Sequence, residues 1–98
     1  MIEHNLIVDG MLSGTGIRDA KVGGYLDAGK IGISDELVGR LAKWVSDYEN
    51  AHYYQFSDRA NNEELDKEGI AIAREIQEAL PHIQVEYFSN AYMRRIAI

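Results

Sequence analysis

Three histidines, His4, His52 and His82, are the residues with the most obvious potential for acid–base or metal chemistry. A helical zinc site places two histidines four residues apart, commonly in a His-Glu-x-x-His frame. No two of these histidines have that spacing, and none lies in such a frame. We therefore predict structural roles: a strand start for His4, a helix end for His52 and a turn for His82.

Nucleophilic catalysis is not indicated either. The chain has no cysteine, and its few serines lie in neither a G-x-S-x-G nor an S-x-x-K frame. The carboxylate pairs Asp35–Glu36 and Glu63–Glu64 each fall in the predicted first turn of a helix, where acids interact favourably with the helix dipole. We predict that the chain is not an enzyme and binds no cofactor and no metal ion.

The stretch "SGTGIRD", residues 13–19, resembles a phosphate-binding loop only in part. It has Gly14 and Gly16, but it lacks the third glycine of the dinucleotide fingerprint and the G-K-[ST] ending of a P-loop. Asp19 would also repel a bound phosphate. The stretch therefore predicts a turn between two strands.

The composition is that of one globular domain, residues 1–98, with 46% hydrophobic and 27% charged residues. No apolar run is long enough to cross a bilayer, and the first residues lack the features of a signal peptide, so we expect a cytoplasmic protein. The net charge of −6 disfavours nucleic acid and anionic membranes as partners and favours a basic protein.

Hydrophobic periodicity predicts an α+β fold, with two amphipathic helices packed on one face of a mainly antiparallel sheet in a two-layer sandwich. The strands cluster at both ends of the chain, so the first should pair with the last ones. Residues 53–56 fit either a short strand or a loop over the core. In order, the predicted elements are a strand over 4–12, irregular strands in "KVGGYL" and "KIGI", helices over 34–50 and 62–80, a strand over 83–89, and a further strand or frayed end over 91–98.

Particular residues define the two predicted helices. Ser34 is suited to cap the first helix, and Asn61 or Asn62 to cap the second. Gly69 falls in the middle of the apolar arc of the second helix, where glycine costs roughly 1 kcal/mol relative to alanine. We expect another backbone to approach Gly69 closely.

The candidate interface lies between the two helices. Aromatic residues there precede an acidic segment, and such a combination favours a protein interface that acids steer and aromatics anchor. Asp47 and Glu49 on the first helix are secondary candidates. The alternative is that the aromatics complete the core and the acids are a solvated helix start. The main predicted partner-binding residues are Tyr53, Tyr54, Phe56, Asp58, Glu63, Glu64, Asp66 and Glu68.

Most of the chain, from about residue 6 to residue 89, resembles small immunity proteins of bacterial toxin systems, including contact-dependent growth inhibition. The resemblance rests on "SGTGIRD…GGYL", on Leu41, Trp44 and Tyr48 in the first helix, and on the opening Leu65-Asp66-x-x-Gly69 of the second. No binding residue is carried over from the family.

The resemblance implies a cytoplasmic inhibitor that binds a cognate toxin domain, of the kind that is often a basic nuclease, and blocks its active site or substrate groove. The negative charge of the chain agrees with a basic partner. Two other hypotheses stay open: a general protein-interaction or regulatory module, and a small hydrolase that uses a histidine.

Overall fold

The computed structural model describes residues 5–11, 14–21, 23–96 and 98, so the predicted role of His4 lies outside the described residues. A 3₁₀ turn, Ala28–Lys30, precedes the first helix. In chain order, the regular elements are β1 (Leu6–Asp9), β2 (Ile17–Asp19), α1 (Asp35–Tyr53), α2 (Arg59–Ala79), β3 (Val85–Ser89) and β4 (Arg94–Ile96).

The four strands form one mixed sheet in the order β2-β1-β3-β4. The outer pairs, β1 with β2 and β3 with β4, are antiparallel, whereas the central pair, β1 with β3, is parallel. The first strand therefore pairs with a strand from the end of the chain, as predicted, and the α+β class is confirmed. The carboxyl ends of β1 and β3 consequently lie at the same end of the sheet.

Both helices pack on one face of this sheet. Alternation along the strands sends Leu6 and Val8 of β1, together with Val85 and Tyr87 of β3, into the core between sheet and helices. The opposite face carries two ion pairs, Arg18–Asp9 at 3.1 Å and Arg95–Glu86 at 3.2 Å. Across the described residues, neither helix combines the length and the apolarity needed to cross a bilayer.

Helix α1 follows its predicted pattern closely. The Ser34 hydroxyl accepts the backbone N–H of Leu37 at 3.1 Å, which satisfies one of the free donors at the helix start. The buried side of the helix includes Leu41, Trp44 and Tyr48, each at most 2% exposed. The helix continues three residues beyond the predicted end, through Tyr53.

Helix α2 begins earlier than predicted, and the predicted caps were wrong. Asp58 is the N-cap, since its Oδ1 accepts the backbone N–H of Asn61 at 3.0 Å. Asn62 lies inside the helix and is buried, and its Nδ2 donates to the carbonyl oxygen of Phe56 at 2.8 Å. As a result, Glu63 lies in the second turn of the helix and not in the first.

The glycine-rich first third of the chain also differs from the prediction. The turn between two strands was predicted correctly, but its last residues form β2. Tyr25 contributes only an isolated bridge to Arg18. The stretch "KIGI" is not a strand: Lys30 ends the 3₁₀ turn, and Ile31 and Gly32 form the turn after it. Gly23 takes a φ of +84° in the expected bend.

The absence of a side chain at Gly69 leaves space for two aromatic rings of the core. A Cβ at this position would lie 2.6 Å from Cζ2 of Trp44 and would also clash with the ring of Tyr87. The close approach is therefore made by two aromatic side chains, one from α1 and one from β3, and not by another backbone as predicted.

We predict opposite effects for two glycine-to-alanine substitutions. Gly69→Ala should lower the free energy of unfolding by about 1–3 kcal/mol, because Trp44 and Tyr87 must move. Gly39→Ala, in α1 with nothing within 4 Å of the added Cβ, should raise it by about 0.5–1 kcal/mol. Urea unfolding measures both. Equal gains in stability would show that the pocket around Gly69 is not tight.

Candidate partner-binding surface

The connection between α1 and α2 is a tight turn, which resolves the choice between strand and loop for residues 53–56. The backbone N–H of Phe56 donates to the carbonyl oxygen of Ala51 at 2.9 Å, and Asn62 holds the carbonyl oxygen of Phe56 from the other side. Gln55 and Phe56 both take a φ of 55°, a conformation that L-residues rarely adopt. The surrounding contacts therefore fix this turn in a strained shape.

Tyr53 and Tyr54 project from this turn into solvent. Their side chains are 79% and 62% exposed. The rings meet edge to face, with centroids 5.1 Å apart, an arrangement that aromatic pairs favour. Large aromatic side chains exposed to this extent are typical anchors of protein interfaces.

Phe56 is in a different position from these two tyrosines. Its ring packs against His52, with centroids 4.6 Å apart, and against Tyr48, at 5.9 Å. The side chain is partly buried beside the core. Phe56 therefore belongs to the core under the turn. This matches the alternative stated above, in which the aromatic residues complete the core and do not bind a partner.

The acids at the start of α2 are mostly exposed, but several of them have partners. Glu68 accepts a hydrogen bond from Arg40 at 2.8 Å, and Glu64 lies 3.7 Å from Lys67. Within the part of the chain that the structure describes, Glu63 forms no ion pair. Residues 58–68 contain five acids and two bases, a net charge of −3, but with Asp66 buried the exposed side chains carry only −2.

Two shallow grooves flank the tyrosine pair. One, of about 550 Å³, is lined by Asp47, Glu49 and Tyr53, among others. The second, of about 370 Å³, is lined by Tyr54 and Asp58 and by neighbours on both helices. Asp47 forms an ion pair with Lys43 at 2.9 Å. Acidic groups therefore border the exposed aromatics on both sides, which suits a cationic partner.

Asp66 lies in the interior and not on the predicted binding surface. It is 6% exposed. Its Oδ1 accepts the hydroxyls of Tyr48 at 2.9 Å and Tyr87 at 2.6 Å, and its Oδ2 accepts the hydroxyl of Ser89 at 2.7 Å. Three donors satisfy the buried carboxylate, so a substitution of Asp66 tests folding and not binding.

The same network reaches the turn between β3 and β4. The Tyr48 hydroxyl accepts the backbone N–H of Ala91 at 3.0 Å, and the Ser89 hydroxyl accepts that of Tyr92 at 3.2 Å. Burial raises the pKa of the Tyr48 hydroxyl. Burial, followed by the hydrogen bond to Asp66, raises the pKa of Tyr87. Both hydroxyls therefore stay protonated and keep donating at neutral pH.

The histidines occupy structural positions where the structure describes them. The Nε2–H of His52 donates to the carbonyl oxygen of Gly10 at 3.1 Å, which ties the end of α1 to the loop after β1. His82 is exposed in the turn before β3. The described residues contain no group of three or more acidic or histidine side chains placed to hold a metal ion.

Four exposed apolar residues outside the α1–α2 turn, Met11, Tyr25, Tyr92 and Met93, were not identified from the sequence. Met11 follows β1, and Tyr92 and Met93 lie in the β3–β4 turn, where Met93 is 70% exposed. Met93 also takes a φ of 53°. For "AYMRRIAI", residues 91–98, the sequence left open a strand, joined to β3 by a turn near Ser89–Asn90, or a frayed end. In the structure the turn extends through Tyr92 and Met93, and β4 begins at Arg94.

Comparison with known proteins gives one match. A family model described as Serratia CdiI immunity protein-like matches residues 12–90, which span β2, both helices and β3. The chain matches no curated protein and no solved structure. The resemblance to immunity proteins of contact-dependent growth inhibition, inferred from the sequence, is thereby confirmed.

The Asp66 network predicts a loss of stability at alkaline pH. Folding raises the pKa of Tyr48 and Tyr87. The contribution of these hydroxyls to the free energy of unfolding is therefore complete below the unfolded-state pKa of about 10 and is lost as the pH rises above it. The free energy of unfolding should fall by about 1.4 kcal/mol per pH unit for each such tyrosine.

Urea unfolding between pH 8 and pH 11 measures this slope. Tyr87→Phe removes one of the two hydroxyls, so the variant should be less stable at pH 8 and should lose stability less steeply above pH 10. Parallel pH profiles for the wild type and Tyr87→Phe would contradict a buried, protonated Tyr87 hydroxyl.

Proposed function

Because the chain belongs to the Serratia CdiI immunity protein-like family, we propose that it protects its cell by binding and neutralising a cognate toxin domain. The inhibition is stoichiometric and non-catalytic and takes place in the cytoplasm. The family match supports immunity to contact-dependent growth inhibition. Which surface of the chain binds the toxin, and how binding inhibits it, is our proposal.

The observation that carries the location of this contact is the exposed pair Tyr53–Tyr54, bordered by acids on both sides. Two tyrosines packed edge to face supply a large, rigid contact area at small entropic cost. The neighbouring acids Glu49, Asp58 and Glu63 are available to cations of a partner. With Glu64, Glu68 and Asp47 further out, these residues form the proposed toxin-binding surface.

The proposed mode of inhibition is occlusion. The net charge of −6 suits a toxin whose active site lies in a positively charged groove, as in a nuclease. The acidic surface would then occupy the groove in place of the phosphate backbone. Opposite charges accelerate the encounter, and desolvated aromatic contacts slow the dissociation.

The two other hypotheses have less support. A general interaction module would use the same surface, but the family match favours a toxin as its partner. A hydrolase would need a histidine with a carboxylate partner. His52 instead donates to a backbone carbonyl and packs against Phe56, and no ion pair of His52 or His82 is present in the described residues.

The first test is rescue from toxicity. The probe is the C-terminal domain of the effector encoded beside this chain's gene, expressed in cells with and without the chain. Growth restored by the wild-type chain, together with a one-to-one purified complex, supports the proposal. Growth that is not restored, or rescue without a purified complex, would contradict the proposal that the chain neutralises the toxin by binding it.

A matched pair of charge reversals tests electrostatic steering. Glu63→Lys and Glu78→Lys make the same change in net charge near opposite ends of α2, and both positions are exposed. At 0.1 M salt, Glu63→Lys should lower the association rate constant about tenfold and Glu78→Lys by less than about threefold.

Raising the salt to 1 M shortens the Debye length from about 10 Å to about 3 Å and should abolish this difference. Stopped-flow association rates provide the measurement. Equal rate constants for the two variants at low salt would place the steering acids elsewhere on the chain.

A further inference from the structure

Exposed apolar side chains concentrate at one end of this protein. Among the described residues, six large apolar side chains are substantially exposed. Five of them lie outside the helices and strands, and the sixth, Tyr53, is the last residue of α1. They are Met11, Tyr25, Tyr53, Tyr54, Tyr92 and Met93.

Hydrogen bonds place these residues together although they are far apart in sequence. His52, next to Tyr53, bonds to Gly10, next to Met11, at 3.1 Å. The hydroxyl of Tyr25 donates to Oδ1 of Asp9, the last residue of β1, at 2.7 Å. The loop after β1 therefore adjoins both Tyr25 and the end of α1.

The β3–β4 turn lies at the same end. Since β1 and β3 are parallel, both of their carboxyl ends point there. The bond from Ala91 to the Tyr48 hydroxyl then joins the turn that carries Tyr92 and Met93 to the last part of α1. Four separate segments thus present apolar side chains at one end, which we call the loop end: Met11 after β1, Tyr25 between β2 and α1, Tyr53 and Tyr54 at the α1–α2 turn, and Tyr92 and Met93 in the β3–β4 turn.

We propose that the loop end as a whole docks onto the toxin, with Met93 and Tyr92 as apolar anchors beside Tyr53 and Tyr54. This inference rests on the proposed function and enlarges its surface beyond the α1–α2 turn. An exposed apolar patch bordered by polar groups marks an interaction site, and tyrosine and methionine are enriched at the centres of interfaces.

Charge decides the kind of occupant. The grooves beside Tyr53 and Tyr54 carry Asp47, Glu49 and Asp58, and the whole chain carries −6. Arg94 follows Met93 directly, so the long-range attraction comes from the acids of the helices and not from the β3–β4 turn. The partner is therefore a domain with an apolar centre and a basic rim, and a second copy of this acidic chain would be repelled.

The test measures the dissociation constant for the purified toxin domain encoded beside the gene, separated from its complex in denaturant and refolded. Met93→Ser removes apolar surface without adding charge and should raise the Kd about thirty-fold, as should Tyr54→Ser. Gln84→Ser, at the opposite end of β3, is the matched control and should change the Kd by less than about twofold. Because Met93 is 70% exposed, Met93→Ser should unfold at the wild-type urea concentration.

The outcomes separate this inference from the proposed function. Weakened binding by both Met93→Ser and Tyr54→Ser supports the loop end. Weakening by Tyr54→Ser alone confines the contact to the α1–α2 turn and overturns the inference, while the proposed function stands. Wild-type chain that does not bind the toxin overturns both. A wild-type dimer that Met93→Ser dissociates would assign the loop end to a second copy, which also overturns the inference.

Discussion

The buried carboxylate of Asp66 is the constraint on which the arrangement of helices, sheet and turns depends. A charge this far from solvent is tolerated only if hydrogen bonds replace its hydration. Hydroxyls from α1 and β3 do so, namely those of Tyr48, Tyr87 and Ser89. The two helices and the central sheet must therefore keep one relative position, since a shift of any of them leaves a donor or the carboxylate unpaired.

This constraint extends from the core to the proposed binding surface. The hydroxyl oxygen of Tyr48, which donates to Asp66, also accepts the backbone N–H of Ala91. That of Ser89 likewise accepts the backbone N–H of Tyr92. The β3–β4 turn is thereby attached to the same network that orients α1. Side chains held in place before a partner arrives lose less entropy on binding, so a rigid loop end favours tight association.

Local patterns determined what the sequence could reveal. The helical arc of α1 and the alternation of β3 arise within one segment, and both elements were predicted. The short strand β2 was missed, because its pairing with β1 depends on a turn and not on its own three residues. In the candidate site, Asp66 follows other acids and resembles them, and only the fold turns it inward. Likewise, Phe56 and Tyr54 look equivalent in sequence, but the turn buries one and exposes the other.

Native-state amide hydrogen exchange of the free protein tests the central claim most directly. If the Asp66 network fixes the β3–β4 turn to the core, the amides of Ala91 and Tyr92 should open only with global unfolding, with the same opening free energy as the slowest amides of α2. In Asp66→Asn these two amides should exchange at least about tenfold faster. Wild-type amides at Ala91 and Tyr92 that exchange at the rates of an unstructured peptide would contradict the account.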